Sequence, residues 1–104
     1  MLLRKQDKKI LEDIFSTLSL PMEVWAYGSR VNGTAPEGSD LDLVIRSDNL
    51  QPIPFNIYNQ LVNKIQESNI PILVELRDWA KLPESFHRKI EQNFEVLFSN
   101  QKKN

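Results

Sequence analysis

The chain has 104 residues, 40% of them hydrophobic and 26% charged, and its 13 Lys and Arg against 14 Asp and Glu give a formal net charge of -1. It holds no cysteine and one histidine, His87, which excludes disulfides, thiolate metal sites and a histidine-rich zinc site. The near-neutral charge argues against a broad nucleic-acid footprint; no apolar run approaches the ~20 residues of a membrane span and no signal peptide opens the chain, so the sequence reads as one cytoplasmic domain.

Residues 4–19 predict an amphipathic helix. Ile10, Leu11, Ile14, Phe15 and Leu18 share a stripe, with Lys5, Lys8, Lys9, Glu12 and Asp13 opposite, and Pro21 ends the element. Val24 to Tyr27 is short, apolar and aromatic, and reads as a buried strand. Residues 28–39 then hold all three glycines of the chain, Gly28, Gly33 and Gly38, together with Pro36. A second strand covers Leu41 to Arg46, and a loop follows through Asp48, Asn49, Pro52 and Pro54.

Ile57, Tyr58, Leu61, Val62 and Ile65 give residues 55–67 the spacing of a second amphipathic helix. Ile72 to Arg77 is a third strand. Pro83 suits the first position of a last helix, with Phe86, Ile90 and Phe94 as its apolar face and His87 on its exposed side. Glu95 to Phe98 forms a short final strand. Residues 1–98 thus read as a single domain and residues 99–104 as a polar tail. The element order suggests an α/β (α+β) fold, a small mixed β-sheet backed by helices.

The chemistry concentrates between the first two strands. Gly28 has no side chain, so another group can approach its backbone closely. Ser29 suits the N-cap of a short helical turn, which Gly33 can end. Such a turn offers backbone N–H groups and a hydroxyl to a phosphate. Pro36 to Gly38 can fold the chain back. Asp40 and Asp42 follow, two apart on a strand, so both carboxylates leave one face about 6–7 Å apart while Leu41, Leu43 and Ile45 face the core. Neighbouring carboxylates repel unless protonated or bridged by a cation, and oxygen-only ligands favour Mg²⁺ or Mn²⁺. A Ser-Asp-x-Asp stretch alone is weak evidence. The conjunction of strand, Gly-Ser, ten residues and Asp-x-Asp is far more specific.

That conjunction, Gly28-Ser29 followed by Asp40-x-Asp42, resembles the signature of the nucleotidyltransferase superfamily that includes DNA polymerase beta. The run Trp25-Ala26-Tyr27-Gly28-Ser29-Arg30 and the short length are similar to the minimal nucleotidyltransferases, the MNT proteins. The resemblance covers residues 23 to about 80. It implies that Gly28 and Ser29 hold nucleotide phosphates and that Asp40 and Asp42 bind Mg²⁺ or Mn²⁺. It also implies a third carboxylate on a later strand, a position that Glu75 fills by parity better than Asp78. The family usually has Asp there, and many relatives carry a basic residue where this chain has Asn32.

MNT proteins are commonly antitoxins of helical HEPN-domain toxins and can move AMP from ATP to a toxin tyrosine. The resemblance therefore implies a metal-dependent adenylyltransferase with ATP as substrate and a HEPN protein as partner. Asp40, Asp42 and Glu75 would be its catalytic and metal-binding carboxylates, and Gly28, Ser29 and Arg30 its nucleotide contacts. The alternative is a degenerate antitoxin that neutralises its partner by binding alone. Arg30 reads equally well as a phosphate contact or a solvated turn residue, Trp25 and Trp79 read as core, and Arg4, Lys5, Lys8 and Lys9 read as a solvated helix face.

Overall fold

The computed structural model describes residues 1–33 and 38–101. Its elements are α1 (Lys5–Ser16), β1 (Met22–Tyr27), α2 (Ser29–Asn32), β2 (Leu41–Ser47), α3 (Phe55–Gln66), β3 (Val74–Asp78), α4 (Glu84–Gln92) and β4 (Phe94–Ser99), with a 3-10 turn at Trp79–Lys81 after β3. The strands form one mixed sheet in the order β3-β2-β1-β4. β1 pairs antiparallel with β2 and β4, and β2 pairs parallel with β3 through the α3 crossover. This is the mixed, helix-backed sheet that the sequence predicts, with each element within a few residues of its expected bounds. Among the described residues, no helix is long and apolar enough to cross a membrane.

Strand alternation sorts the side chains into two cores. On one face, Met22, Val24 and Ala26 of β1 and Leu41, Leu43 and Ile45 of β2 pack with Leu11 and Phe15 of α1 and Leu61 and Ile65 of α3. The alternate residues Trp25, Tyr27 and Val44 face the other way and pack with Trp79 and with Ile90 of α4. The sheet is therefore covered on both faces, although α4 covers its own only in part. Trp25 stacks on Phe94 at 3.8 Å and meets Trp79 edge-on at 5.5 Å. The Arg46 guanidinium lies over both indoles, 4.0 and 4.4 Å from the ring centroids.

Two expectations change. His87 is not on an open helix face: its ring stacks on Trp79 at 3.9 Å, and its Nε2 lies 2.6 Å from the Trp79 carbonyl oxygen. Helical periodicity misses this because the turn that carries Trp79 folds under α4. The tail is also fixed at its start. Ser99 closes β4, while Asn100 Oδ1 accepts from the Met22 amide at 2.7 Å and Asn100 Nδ2 donates to the Leu20 carbonyl at 3.0 Å. The expected turn at Pro36 lies outside the described residues.

Candidate active site

Register builds the site. β1 sets Tyr27 opposite Asp42, and the parallel pairing of β2 with β3 sets Asp42 opposite Glu75. Three polar side chains from three strands thus line up on the α4 face, because alternation sends Ala26, Leu41, Leu43 and Leu76 to the other side.

Gly28 follows directly on β1 with φ +83°, a conformation that L side chains rarely adopt. A Cβ built there would lie 2.7 Å from Asp42 Oδ2. The missing side chain is what allows the Asp42 carboxylate to sit against the turn. Gly28 is also the N-cap of α2, accepting from the amides of Val31 at 3.0 Å and Asn32 at 3.2 Å, and Ser29 is the first helical residue. The sequence places Ser29 at the cap; the close approach of Asp42 and the positive φ give that position to glycine. The Ser29 and Arg30 amides precede the first helical hydrogen bond and find no acceptor in the helix itself, so they are suited to an anion. Gly33 ends α2 in the left-handed region, as expected.

Arg30 has a structural task. Its Nε donates to the Ser39 carbonyl at 2.9 Å and its Nη1 to the Leu2 carbonyl at 2.7 Å, which ties the turn to the approach to β2 and to the N-terminal segment. Asp40 lies just before β2 and is exposed. Asp78 ends β3 buried, where Oδ2 accepts from the Ile53 amide at 2.8 Å and Oδ1 from the Ala80 amide at 3.1 Å. Those bonds hold the loop before α3 and cap the 3-10 turn, so Asp78 is apart from the site, as its parity indicates.

Sequence reasoning misses two members of the cluster, Tyr27 and Arg77. Arg77 shares the parity of Glu75, and its long side chain folds back along the sheet. Nη1 donates to Tyr27 Oη at 3.1 Å and lies 3.5 Å from Asp42 Oδ1, while Nη2 pairs with Glu75 Oε2 at 2.9 Å. Burial raises the Asp42 pKa above the usual carboxylate value; Arg77 opposes the rise, and the negative charges of Glu75 and Asp40 add to it. Burial likewise raises the Tyr27 pKa, again against the pull of Arg77.

The donor chemistry suits a hard divalent cation. Asp40, Asp42 and Glu75 offer only carboxylate oxygens, and Asp42 Oδ2 is held at the turn by the gap over Gly28. Among the described residues, however, no three acidic, histidine or cysteine side chains are already gathered around one ion position. Asp42 and Glu75 meet through Arg77 instead. A cavity of about 430 Å³ opens beside the turn, lined by Tyr27, Gly28, Asn32, Phe86, Lys89 and Ile90 among others, and is roomy enough for a nucleoside.

Residues 8–103 match the family model described as polymerase beta, nucleotidyltransferase. The chain is 35% identical over 100 residues, 96% of its length, to a Haemophilus influenzae protein named "Probable protein adenylyltransferase MntA", and spans 86% of that protein. Its fold is similar to that of a toxin–antitoxin crystallised with AMP-PNP, with a TM-score of 0.71 at 16% identity, covering 90% of this chain and 74% of the other. A mutant of the toxin–antitoxin MntA-HpeT aligns with a TM-score of 0.68 at 16% identity, covering 91% and 74%.

Proposed function

Because the chain belongs to the polymerase beta nucleotidyltransferase family, we propose that it is a Mg²⁺-dependent adenylyltransferase that moves AMP from ATP to a tyrosine hydroxyl of a HEPN-type toxin and acts as that toxin's antitoxin. The observation that carries this reading is the approach of Asp42 Oδ2 to the side-chain-free Gly28, with Glu75 in register beside Asp42. It brings the Gly28-Ser29 turn and a carboxylate pair to one place. The named adenylyltransferase relative supports AMP as the transferred group. The fold shared with toxin–antitoxin structures supports a toxin as the acceptor. The cysteine-free composition suits a reducing cytoplasm.

In the reaction, the acceptor oxygen forms a bond to the α-phosphorus, the bond from that phosphorus to the β-bridging oxygen breaks, and pyrophosphate leaves. Gly28 and Ser29 hold phosphate oxygens through the first amides of α2 and the serine hydroxyl. Arg30 braces that turn and has further N–H donors for a phosphate. Asp40 and Asp42 hold the divalent ion, with Glu75 as the third carboxylate; bound there, the ion supplies charge neutralisation for the triphosphate and the leaving group. Glu75, half-exposed at the edge of the cluster, is placed to take the proton of the acceptor hydroxyl. The cavity beside Gly28 takes the nucleoside.

The test is transfer of label from α-labelled ATP to the neighbouring HEPN protein in the presence of Mg²⁺. Wild type labels it and Asp42→Asn loses at least about a hundredfold in rate. Equally absent labelling by both rejects the enzyme reading. The ion pair between Arg77 and Glu75 favours a second reading, an antitoxin that works by binding alone. Under it, neutralisation survives Asp40→Ala and Asp42→Ala.

A further inference from the structure

We propose that Arg77 is an internal cation that competes with the divalent metal for Glu75 and for one oxygen of Asp42, and thereby sets the metal affinity of the site. The inference rests on the metal-site reading above and goes beyond it by giving this chain its own determinant of when the third carboxylate joins.

The geometry divides Asp42 into two ends. Oδ2 faces the turn, in the space that a Cβ on Gly28 would take. Oδ1 faces Arg77 Nη1 at 3.5 Å. An ion held by Asp40 and Asp42 Oδ2 leaves Arg77 undisturbed. An ion shared by Asp42 and Glu75 would stand beside a guanidinium that already pairs with Glu75 Oε2 at 2.9 Å and lies 3.5 Å from Asp42 Oδ1. A third contact, from Nη1 to Tyr27 Oη at 3.1 Å, anchors the guanidinium to β1 and keeps it over the pair. Three strands therefore fix the arginine head where a shared cation would place its charge.

Charge makes the competition direct. Two carboxylates in register on adjacent strands repel, and a positive charge between them relieves that repulsion whether it is a guanidinium or a metal ion. Arg77 already provides it. Metal recruitment of Glu75 therefore sets a second cation against the one that Arg77 already supplies, and Arg77 acts as a positioning residue that holds Glu75 in reserve.

The experiment measures Mn²⁺ binding by the full chain without nucleotide, following free Mn²⁺ by electron paramagnetic resonance and heats by calorimetry. The variants are Glu75→Gln, Arg77→Met and the double substitution, with near-ultraviolet circular dichroism of the indoles as the check on folding. In the wild type, Glu75→Gln changes Mn²⁺ affinity by less than about twofold, because Glu75 is held by Arg77. Arg77→Met tightens Mn²⁺ by about tenfold, and adding Glu75→Gln removes the gain. A loss of tenfold or more on Glu75→Gln in the wild type overturns the proposal, as does an unchanged or weaker affinity in Arg77→Met. If Arg77→Met does not fold, Arg77→Gln takes its place with the same two outcomes. Asp42→Asn separates this inference from the reading it rests on: unchanged Mn²⁺ affinity there rejects the metal site itself, whereas lost affinity there with no gain in the Arg77 variants rejects only the competition.

Discussion

The two faces of the sheet are made from alternate residues of the same strands, yet they are built to different ends. The α1 and α3 face is aliphatic and closed, and Leu11, Phe15, Leu41, Leu43, Ile45 and Leu61 have no solvent exposure. The α4 face is divided. Its lower half is an aromatic layer in which the Arg46 guanidinium lies over both Trp25 and Trp79. Its upper half is the polar cluster of Tyr27, Asp42, Glu75 and Arg77, partly open to solvent. In β2 a single step from Leu41 to Asp42 passes from core to chemistry. The aliphatic face is closed throughout, whereas the other combines a buried aromatic core with an upper part open enough for a substrate.

The sharpest way to break this division is to attack the closed face. Phe15→Ala removes a fully buried ring that packs against the sheet and meets Phe98 at 6.1 Å. A loss of about 3–5 kcal/mol is expected, a large fraction of the roughly 5–15 kcal/mol that stabilises a domain of this size. Urea denaturation followed by indole fluorescence measures it. A loss below about 1 kcal/mol would mean that the closed face is not what holds the sheet.

Gly28→Val attacks the open face and should leave the closed one intact. The new Cβ meets Asp42 Oδ2, and the branched side chain must adopt φ +83°. A shift of about 1 Å in a site carboxylate can cost 10²-fold. ATP affinity by calorimetric titration should fall by about that factor while the cooperative melt persists. Unchanged affinity would show that nucleotide binding does not depend on the close approach at Gly28, a constraint absent at Gly33 and Gly38, where a Cβ would meet nothing within 4 Å.

How much of each face the sequence reveals follows from the range of the interactions. The parity of Asp40, Asp42 and Glu75 is a local property of extended chain, and so is the core role of Leu41, Leu43 and Ile45. Gly28 is legible because only glycine serves a close approach, although nothing local in the chain identifies the Asp42 carboxylate as its partner. Arg77 was not legible, because its meeting with Tyr27 and Asp42 depends on registers between three strands and on a side chain that folds back. The second core was hidden for a similar reason: Trp25, Trp79 and Ile90 are far apart in the chain, and no single periodicity joins them. Arg30 kept two readings open, and its bonds to the Ser39 and Leu2 carbonyls give it a bracing role that neither described.

Asp78 tests whether every carboxylate on β3 belongs to the open face. It does not, since it caps the 3-10 turn and holds the Ile53 amide. Asp78→Ala leaves that buried amide without its acceptor and should cost about 1–3 kcal/mol. Thermal denaturation checks the loss, and Mn²⁺ affinity should stay within about twofold of wild type. A large loss of metal affinity with stability unchanged would move Asp78 into the site.

The smallest effect is one of sign, and it compares two carboxylates that each face an arginine. Asp7 of α1 is buried beside Arg4, whose Nε donates to Oδ2 at 2.8 Å; that hydrogen bond, more than the added charge of Arg30, holds the Asp7 pKa below its ordinary value. Its ionised form is favoured in the fold, so its contribution is present above the unfolded value of about 3.9 and fades as the pH falls through the lower folded value. Asp42 is shifted the other way by burial. Its ionised form is disfavoured in the fold, so stability declines as the pH rises from the unfolded value through the raised one. Relative to wild type, Asp7→Asn should therefore lose stability at pH 7 and recover towards pH 3. Asp42→Asn should gain stability on going from pH 3 to pH 7. Melting curves at the two pH values give both differences, and a common sign would show that Arg77 relieves Asp42 as fully as Arg4 relieves Asp7.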